Sequence, residues 1–260
     1  MSLIIKPANT TETKLTGPSQ NLWNRVGCDA DPAAFTTLFE DFASWDEGAG
    51  LGENFSLVVG NSATAPHVLD EVGGIVAITT GATANDEGTL CSGDNVAGFG
   101  KFSAGLKFAM EARVNISAIT DALGMHFIGF TQEARGGALF TTSNDLEDKD
   151  YVGWKTIAAD GDVCEPVYNT ESGTAVIVKA DAVTWVADTY KKLGIYCDGK
   201  AVTWYADGVP IATCDVRHPV PITTSGFPDG EEMAVYVGAA TDTTTAVVMQ
   251  VDWIKASMER

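Results

Sequence analysis

Basic residues are scarce in this chain. Its 260 residues include 16 Lys and Arg against 35 Asp and Glu, which gives a formal net charge of −19 at pH 7. Because a negative field repels the phosphate backbone, we expect no binding to DNA or RNA. The sequence also lacks a long apolar run, and its opening MSLIIKPANTTETK has no apolar core of a signal peptide. We therefore expect a protein made in the cytoplasm, without membrane contact or export through a cleaved signal.

Cysteine is sparse as well. Five Cys residues occur, at positions 28, 91, 164, 197 and 214, and no CxxC pair is present. An odd number of Cys residues with no His nearby argues against a disulfide framework and against a zinc site. We expect buried free thiols in a reducing compartment, and no cofactor.

Known catalytic motifs are missing too. The chain has no GxSxG nucleophile elbow, and FGKF at 99–102 lacks the glycine spacing of a phosphate-binding loop. The three histidines, His67, His126 and His218, are far apart. His126 lies within the apolar stretch MHF, where a hydrogen-bonded core histidine is a more common finding than a base or a ligand.

β-strand patterns dominate the chain after residue 50. GGIVAITTG (73–81) is a β-branched run between glycines, and KFAMEARVNI (107–116) alternates apolar and polar residues as a sheet with one solvated face does. LGMHFIGF (123–130) is apolar on both faces, which predicts a central strand covered on both sides.

Two Asp-Gly pairs, Asp198-Gly199 and Asp207-Gly208, separate three short alternating runs. Asp-Gly between such runs is typical of a two-residue type I′ turn, because both central residues need positive φ. The pairs predict a three-stranded antiparallel meander. Together these patterns predict an all-β fold, a two-sheet antiparallel jelly-roll sandwich.

The N-terminal part has a different composition. Residues 1–34 contain scattered apolar residues and many Thr, Asn, Pro and Gly, a composition of either an extended N-terminal arm or a disordered tail ahead of a sandwich at 35–260. Trp23 and the pair Ile4-Ile5 favour the arm. Between 31 and 45, Asp31-Pro32 is a good helix start, but helix and strand remain equally supported. We expect the arm to contact a protein partner through five apolar residues: Ile4, Ile5, Leu15, Leu22 and Trp23.

The order of these features resembles the concanavalin A-like lectin/glucanase jelly roll, which is related to laminin G-like domains. The matching stretches lie between about 35 and 258: FEDFASW, GGIVAITTGATANDEGTLCS, the pair FAMEARVNI and GMHFIGFTQE, the meander TYKKLGIYCDGKAVTWYADGVPIAT, and the closing VDWIKA. This fold includes lectins, glycanases, adhesion modules and virion proteins, so the resemblance implies a fold and leaves the function open.

Glycanases of this family place carboxylates on one strand as Glu-x-Asp-x-x-Glu, and no such motif occurs in this chain. The candidate acids are Glu40, Asp41, Glu111, Glu147, Asp148, Asp150, Glu231 and Glu232. Because they are adjacent, isolated or in polar stretches, we expect a protein that is not an enzyme.

The stretch GGIVAITTGATANDEGTL and the plain arm resemble structural proteins of tailed bacteriophages. This narrower resemblance implies a capsid decoration or cement protein in a virion, forming a homo-oligomer and contacting the major capsid protein or another virion protein. A carbohydrate-binding module on a fibre or receptor-binding protein is the alternative.

Residues for two kinds of ligand can be named from the sequence. Trp154 and Tyr205 are candidates for exposed sugar-stacking rings, whereas Trp185, Trp204 and Trp253 follow the apolar alternation of core residues. In TANDEG (83–88) and SGDN (92–95), clustered carboxylate and amide oxygens suit a hard cation. The residues that would bind calcium are Asn85, Asp86 and Glu87.

Overall fold

A computed structural model describes residues 17–28, 31–46, 54–60, 62–65, 74–92, 98–102, 105–132, 139–141, 145–215, 227–228 and 230–260. Among these residues, helix α1 spans Gln20–Val26. Single 3-10 turns lie at Pro32–Ala34 and Ala158–Asp160. The strands are β1 (Phe35–Glu40), β2 (Phe55–Gly60), β3 (Val76–Thr79), β4 (Glu87–Ser92), β5 (Gly100–Lys101), β6 (Phe108–Ile116), β7 (Gly124–Gln132), β8 (Tyr151–Thr156), β9 (Val163–Asn169), β10 (Val176–Ile177), β11 (Val183–Thr184), β12 (Lys191–Cys197), β13 (Ala201–Ala206), β14 (Val209–Asp215), β15 (Glu232–Thr241) and β16 (Val248–Glu259).

The strands form two antiparallel sheets, which confirms the predicted sandwich. Sheet I has the order β1-β16-β6-β12-β13-β14, with β3 also paired to β16. Sheet II has the order β10-β9-β8-β7-β15-β4-β2, with β11 beside β9 and β5 beside β15. β7 lies in the middle of sheet II and is buried on both faces, as its sequence predicts.

The core lies between the sheets and is built from alternate residues of their strands, including Met110, Ile128, Ile195 and Val237. Two indole N–H groups cross this core. Trp154 Nε1 of sheet II donates to the Gly194 carbonyl of sheet I at 3.1 Å. Trp204 Nε1 of sheet I donates to the Gly153 carbonyl of sheet II at 2.8 Å.

All five cysteines are free; four of them are buried, as predicted, and Cys214 is half-buried. Burial raises the pKa of Cys197 to about 12. Among the described residues, no helix is long and apolar enough to cross a membrane.

The segment before the sandwich differs from its prediction. Residues 20–26 form α1 rather than an extended arm, and Gly27 at φ +83° ends the helix in the left-handed conformation. The open choice between helix and strand at 31–45 is resolved as one 3-10 turn followed by β1. Residues 1–16, the rest of the predicted arm, lie outside the described residues.

The two turns of the meander also differ from each other. Asp207 and Gly208 both have positive φ, +50° and +76°, which confirms the predicted type I′ geometry. At the first turn, three residues separate Cys197 from Ala201, and only Gly199 has positive φ. The Asp198 carboxylate instead accepts the Ala201 N–H at 2.8 Å, so a side chain replaces the second left-handed residue.

Candidate functional site

The outer face of sheet II is covered in part by residues 139–140 and Leu146. Leu139, Phe140 and Leu146 pack on Phe127 and Tyr151 in a second buried apolar cluster. Glu87 fixes this segment from β4. Its two carboxylate oxygens accept the Leu139 N–H at 2.7 and 2.9 Å, and one of them also accepts the Phe140 N–H at 3.0 Å.

Part of the outer face of sheet I is covered by α1. Leu22 fills the space above Gly194, where a Cβ would lie 2.5 Å from its Cδ1. Trp23 and Val26 are buried in the same cluster as Tyr196 and Tyr205. The face of β6 that was predicted to be solvated is therefore buried beneath α1 around Ala109 and Glu111.

A buried carboxylate anchors the helix. Glu111 of β6 has no exposed surface, and its Oε2 accepts both the Ser19 N–H and the Trp23 Nε1–H at 2.8 Å. Lys255 is the neighbour of Glu111 on β16, and its Nζ lies 4.2 Å from the centre of the Trp23 ring. The charge of Glu111 is thus stabilised by two hydrogen bonds to the helix segment.

These contacts correct the predicted protein-binding residues. Leu22 and Trp23 contact the chain's own sheet, so they are not free to bind a partner. Ile4, Ile5 and Leu15 lie outside the described residues.

The predicted sugar-stacking rings are corrected as well. Trp154 is 0% exposed and faces the core. Tyr205 is 1% exposed beneath α1, and its hydroxyl accepts a hydrogen bond from Arg25 Nη1 at 3.0 Å. Neither ring has an open face for a sugar.

Away from α1, the outer face of sheet I is polar and partly exposed, with the side chains of Arg113 and Asp252 each 18% exposed. Arg113 of β6 forms an ion pair with Asp252 of β16 and lies 4.0 Å from the centre of the Tyr190 ring. The Tyr190 hydroxyl donates to Gln250 Oε1 at 3.0 Å, and Asn115 Nδ2 donates to the same oxygen at 3.2 Å. These planar groups hold one another in fixed positions.

A β-bulge brings an aromatic pair, one ring exposed and one buried, to this part of the outer face. Between Val251 and Trp253 the register of β16 on β6 shifts, so Asp252 is an extra residue. Trp253 is buried, 5% exposed, as predicted, but it lies on the outer side of sheet I beside Phe39, with ring centres 6.4 Å apart. The Phe39 ring is 47% exposed. We call this set the outer row: Phe39, Trp253, Asp252, Arg113, Tyr190, Gln250 and Asn115.

The outer row crosses four adjacent strand positions, from β1 through β16 and β6 to the start of β12. At about 4.8 Å per strand, three steps make it about 14 Å long. It has an aromatic ring at each end and a charged pair between them. The sequence alone missed it, because the alternation rule places Trp253 in the core unless the bulge is known.

Acids considered for catalysis accept hydrogen bonds from backbone N–H groups in separate parts of the structure. Glu40 accepts the Phe42 and Asn54 N–H groups at 3.1 and 2.9 Å. Asp148 accepts the Ser172 N–H at 3.1 Å. Burial and the neighbouring carboxylates of Glu231 and Glu171 raise the pKa of Asp150.

A group of acids that the sequence analysis did not single out lies at one end of the sandwich. Carboxylate oxygens of Asp121, Asp160 and Asp162 lie within 4.8 Å of one another. Burial, a hydrogen bond with Asp162 and the charges of Asp162, Asp121 and Asp181 raise the pKa of Asp160. The first two acids are about 40 residues apart in sequence, so no local motif connects them.

His126 lies in the central strand, as predicted, but it is not hydrogen-bonded. It is 1% exposed, and neither ring nitrogen has a partner among the described residues. Burial lowers its pKa to about 4. His67 and His218 lie outside the described residues.

No protein-family model and no curated protein matches this sequence. Solved structures match the fold across most of the chain. The endo-1,3-β-glucanase from Streptomyces sioyaensis has a TM-score of 0.54 and 14% identity, with 88% of this chain and 98% of that chain covered. The chain has the concanavalin A-like jelly-roll fold.

Two further concanavalin A-like structures show the range of this fold. The endo-β-1,4-glucuronan lyase from Trichoderma reesei has a TM-score of 0.56 and 9% identity, covering 84% of this chain and 94% of that chain. The Emp47p carbohydrate recognition domain has a TM-score of 0.52 and 14% identity, covering 87% and 97%. At these identities the likeness shows the fold.

The comparisons correct the prediction that the protein is not an enzyme. A glucanase and a lyase share the fold over most of this chain, so a missing Glu-x-Asp-x-x-Glu motif does not separate it from enzymes. The predicted resemblance to the concanavalin A-like lectin/glucanase jelly roll is confirmed.

Proposed function

We propose that this concanavalin A-like protein binds a β-linked glycan on the outer row. The supporting observation is the half-exposed Phe39 ring, backed by Trp253 and followed along the sheet by Arg113, Asp252 and Tyr190. A flat ring packs against the apolar C–H face of a sugar, and planar polar groups hydrogen-bond its hydroxyls.

The fold neighbours support this class of ligand, since they include a β-glucanase, a β-glucuronan lyase and a carbohydrate recognition domain. The outer face of sheet II is a less suitable glycan site near Leu139, Phe140 and Leu146, because these buried apolar side chains cover it there.

Binding is tested by isothermal titration calorimetry with soluble β-glucans and uronic acid polymers, with reducing ends and unsaturated products measured in the same samples. We expect Phe39→Ala to weaken binding at least about tenfold, the effect of losing roughly 1.4 kcal/mol of ring contact. Val209→Ala is the matched control, because Val209 is 56% exposed on β14, the far edge of sheet I.

A second variant examines the polar part of the outer row. Arg113→Lys keeps the charge and loses the planar group that contacts both Asp252 and Tyr190. We expect weaker binding with it as well. Affinity unchanged by Phe39→Ala, or no binding across the whole panel, would rule out the proposed site.

The predicted role in a capsid remains a prediction, as do the virion location, the capsid partner and the homo-oligomer. Leu22 and Trp23, two of its proposed anchors, are buried against sheet I. The glycan-binding alternative has the stronger support from the reported neighbours.

A further inference from the structure

The turn between β3 and β4 is held tightly at both ends. Asp86 N–H donates to the Thr83 carbonyl at 2.9 Å, and Thr83 N–H donates back to Asp86 Oδ2 at 3.2 Å. The turn is also attached to the end of β15. Asn85 N–H donates to the Thr241 carbonyl at 2.7 Å, and Thr241 N–H to the Asp86 carbonyl at 3.0 Å. The positions of Asn85 and Asp86 are therefore fixed by the backbone.

Asp86 is a buried acid with only one of its oxygens satisfied. The residue is 1% exposed, and Oδ2 accepts from Ser62 Oγ at 3.1 Å as well as from Thr83. Its carboxylate lies against Gly81, where a Cβ would be 1.8 Å from Oδ2. Oδ1 is buried and has no hydrogen-bond partner in the described part of the chain. The ion pairs found among the described residues do not include Asp86.

The adjacent residue has the same deficiency. Asn85 Oδ1 is also buried and finds no partner within the described ranges, and the backbone of Asn85 has φ +69°. An unsatisfied buried acceptor is costly, and a buried charge without compensation costs more. Two such oxygens on consecutive residues of one rigid turn need a donor or a cation.

We propose that this turn binds a divalent cation, with Asp86 Oδ1 and Asn85 Oδ1 as side-chain ligands. Calcium suits the donor set, since it takes carboxylate, amide and carbonyl oxygens in irregular geometry. Glu87 is not part of the site, although the sequence analysis grouped it with these two residues. Both of its oxygens accept N–H groups from 139–140 on the covered face of sheet II.

The test is thermal unfolding of EDTA-treated full-length protein with and without CaCl2. A ligand that binds only the native state raises the Tm, by about 5 °C or more at roughly hundredfold excess over Kd. We expect this rise in wild type and its loss in Asp86→Asn, which has the same shape without the charge. Asp121→Asn, in the exposed acidic group at the end of the sandwich, is expected to keep the full rise.

Asn85→Gly provides a second variant in case Asp86→Asn does not fold. Glycine adopts the φ of +69° without strain, so the turn is preserved and one ligand oxygen is lost. Calorimetric titration with CaCl2 is expected to show at least about tenfold weaker binding for this variant. No Tm rise in wild type would overturn the proposal. A rise that survives in Asp86→Asn, or that Asp121→Asn abolishes, would overturn it too.

Discussion

His126 is a titratable side chain placed where it cannot be hydrated. Its ring lies in the sandwich core, 6.5 Å from the Trp185 ring, and both nitrogens lack partners among the described residues. In such a place the neutral imidazole is tolerated and the imidazolium is not. The residue therefore links the stability of the fold to pH.

We predict that stability falls as pH drops from 6.5 towards 4. Burial lowers the folded-state pKa of His126 from 6.5 to about 4, so its contribution is fully present above 6.5 and is lost on the way down. The shift corresponds to a loss on the order of 3 kcal/mol. Urea unfolding at a series of pH values measures it.

His126→Leu is the control for this prediction, because it fills a similar volume and does not titrate. Its acid dependence should be smaller than that of wild type by the same amount. Equal acid dependence in the two proteins would show that other groups cause the loss.

Two tryptophans show how far the position of a single side chain can be predicted from the sequence. Trp204 follows the alternation of its strand and is in the core, as predicted. Trp253 follows the same rule and is buried, but on the outer side of sheet I, because one extra residue, Asp252, reverses the direction of the side chains that follow. A bulge has no firm sequence signal, so the aromatic part of the outer row was not predictable.

At the scale of elements, α1 is short and depends on its contacts with sheet I. Seven residues form too few intrahelical hydrogen bonds for a stable isolated helix. The Trp23–Glu111 hydrogen bond and the burial of Leu22 and Val26 supply the missing stability. The buried carboxylate in turn depends on the helix for its donors.

We predict that Trp23→Phe destabilises the protein by about 1–3 kcal/mol, the cost of removing a donor from a buried charged acceptor. Trp45→Phe is the matched control. Its indole N–H donates to a neutral acceptor, the Ala65 carbonyl, at 2.6 Å, so we expect about 1 kcal/mol. Urea unfolding followed by circular dichroism compares them. A smaller loss at Trp23 than at Trp45 would contradict the proposed anchoring.

Strands were easier to predict than the elements that cover them. Period-two alternation and Asp-Gly turns are local signals, and they located β6, β7, β12, β13 and β14. Which face α1 or the segment 139–150 would cover depends on contacts between distant residues, such as Ser19 with Glu111. No local pattern contains that information.

At the scale of the whole molecule, charge opposes the compact state. A net charge of −19 is confined to one folded body, and its self-repulsion is released on unfolding. Salt screens such repulsion, with a Debye length of about 10 Å at 0.1 M.

We therefore predict that the urea midpoint rises when NaCl is increased from low to moderate concentration. Equal concentrations of a neutral osmolyte serve as the control for effects on water activity. A midpoint that falls with NaCl would mean that favourable ion pairs, such as Arg113–Asp252, outweigh the repulsion.

Gly194 joins three layers through a single peptide. Its carbonyl receives the Trp154 indole from sheet II, and the opposite side of its Cα carries Leu22 of α1. A shift of α1 at the surface would therefore change the surroundings of the Trp154 indole, which belongs to the opposite sheet. The fluorescence of Trp154, which is buried away from solvent, is therefore expected to report that movement.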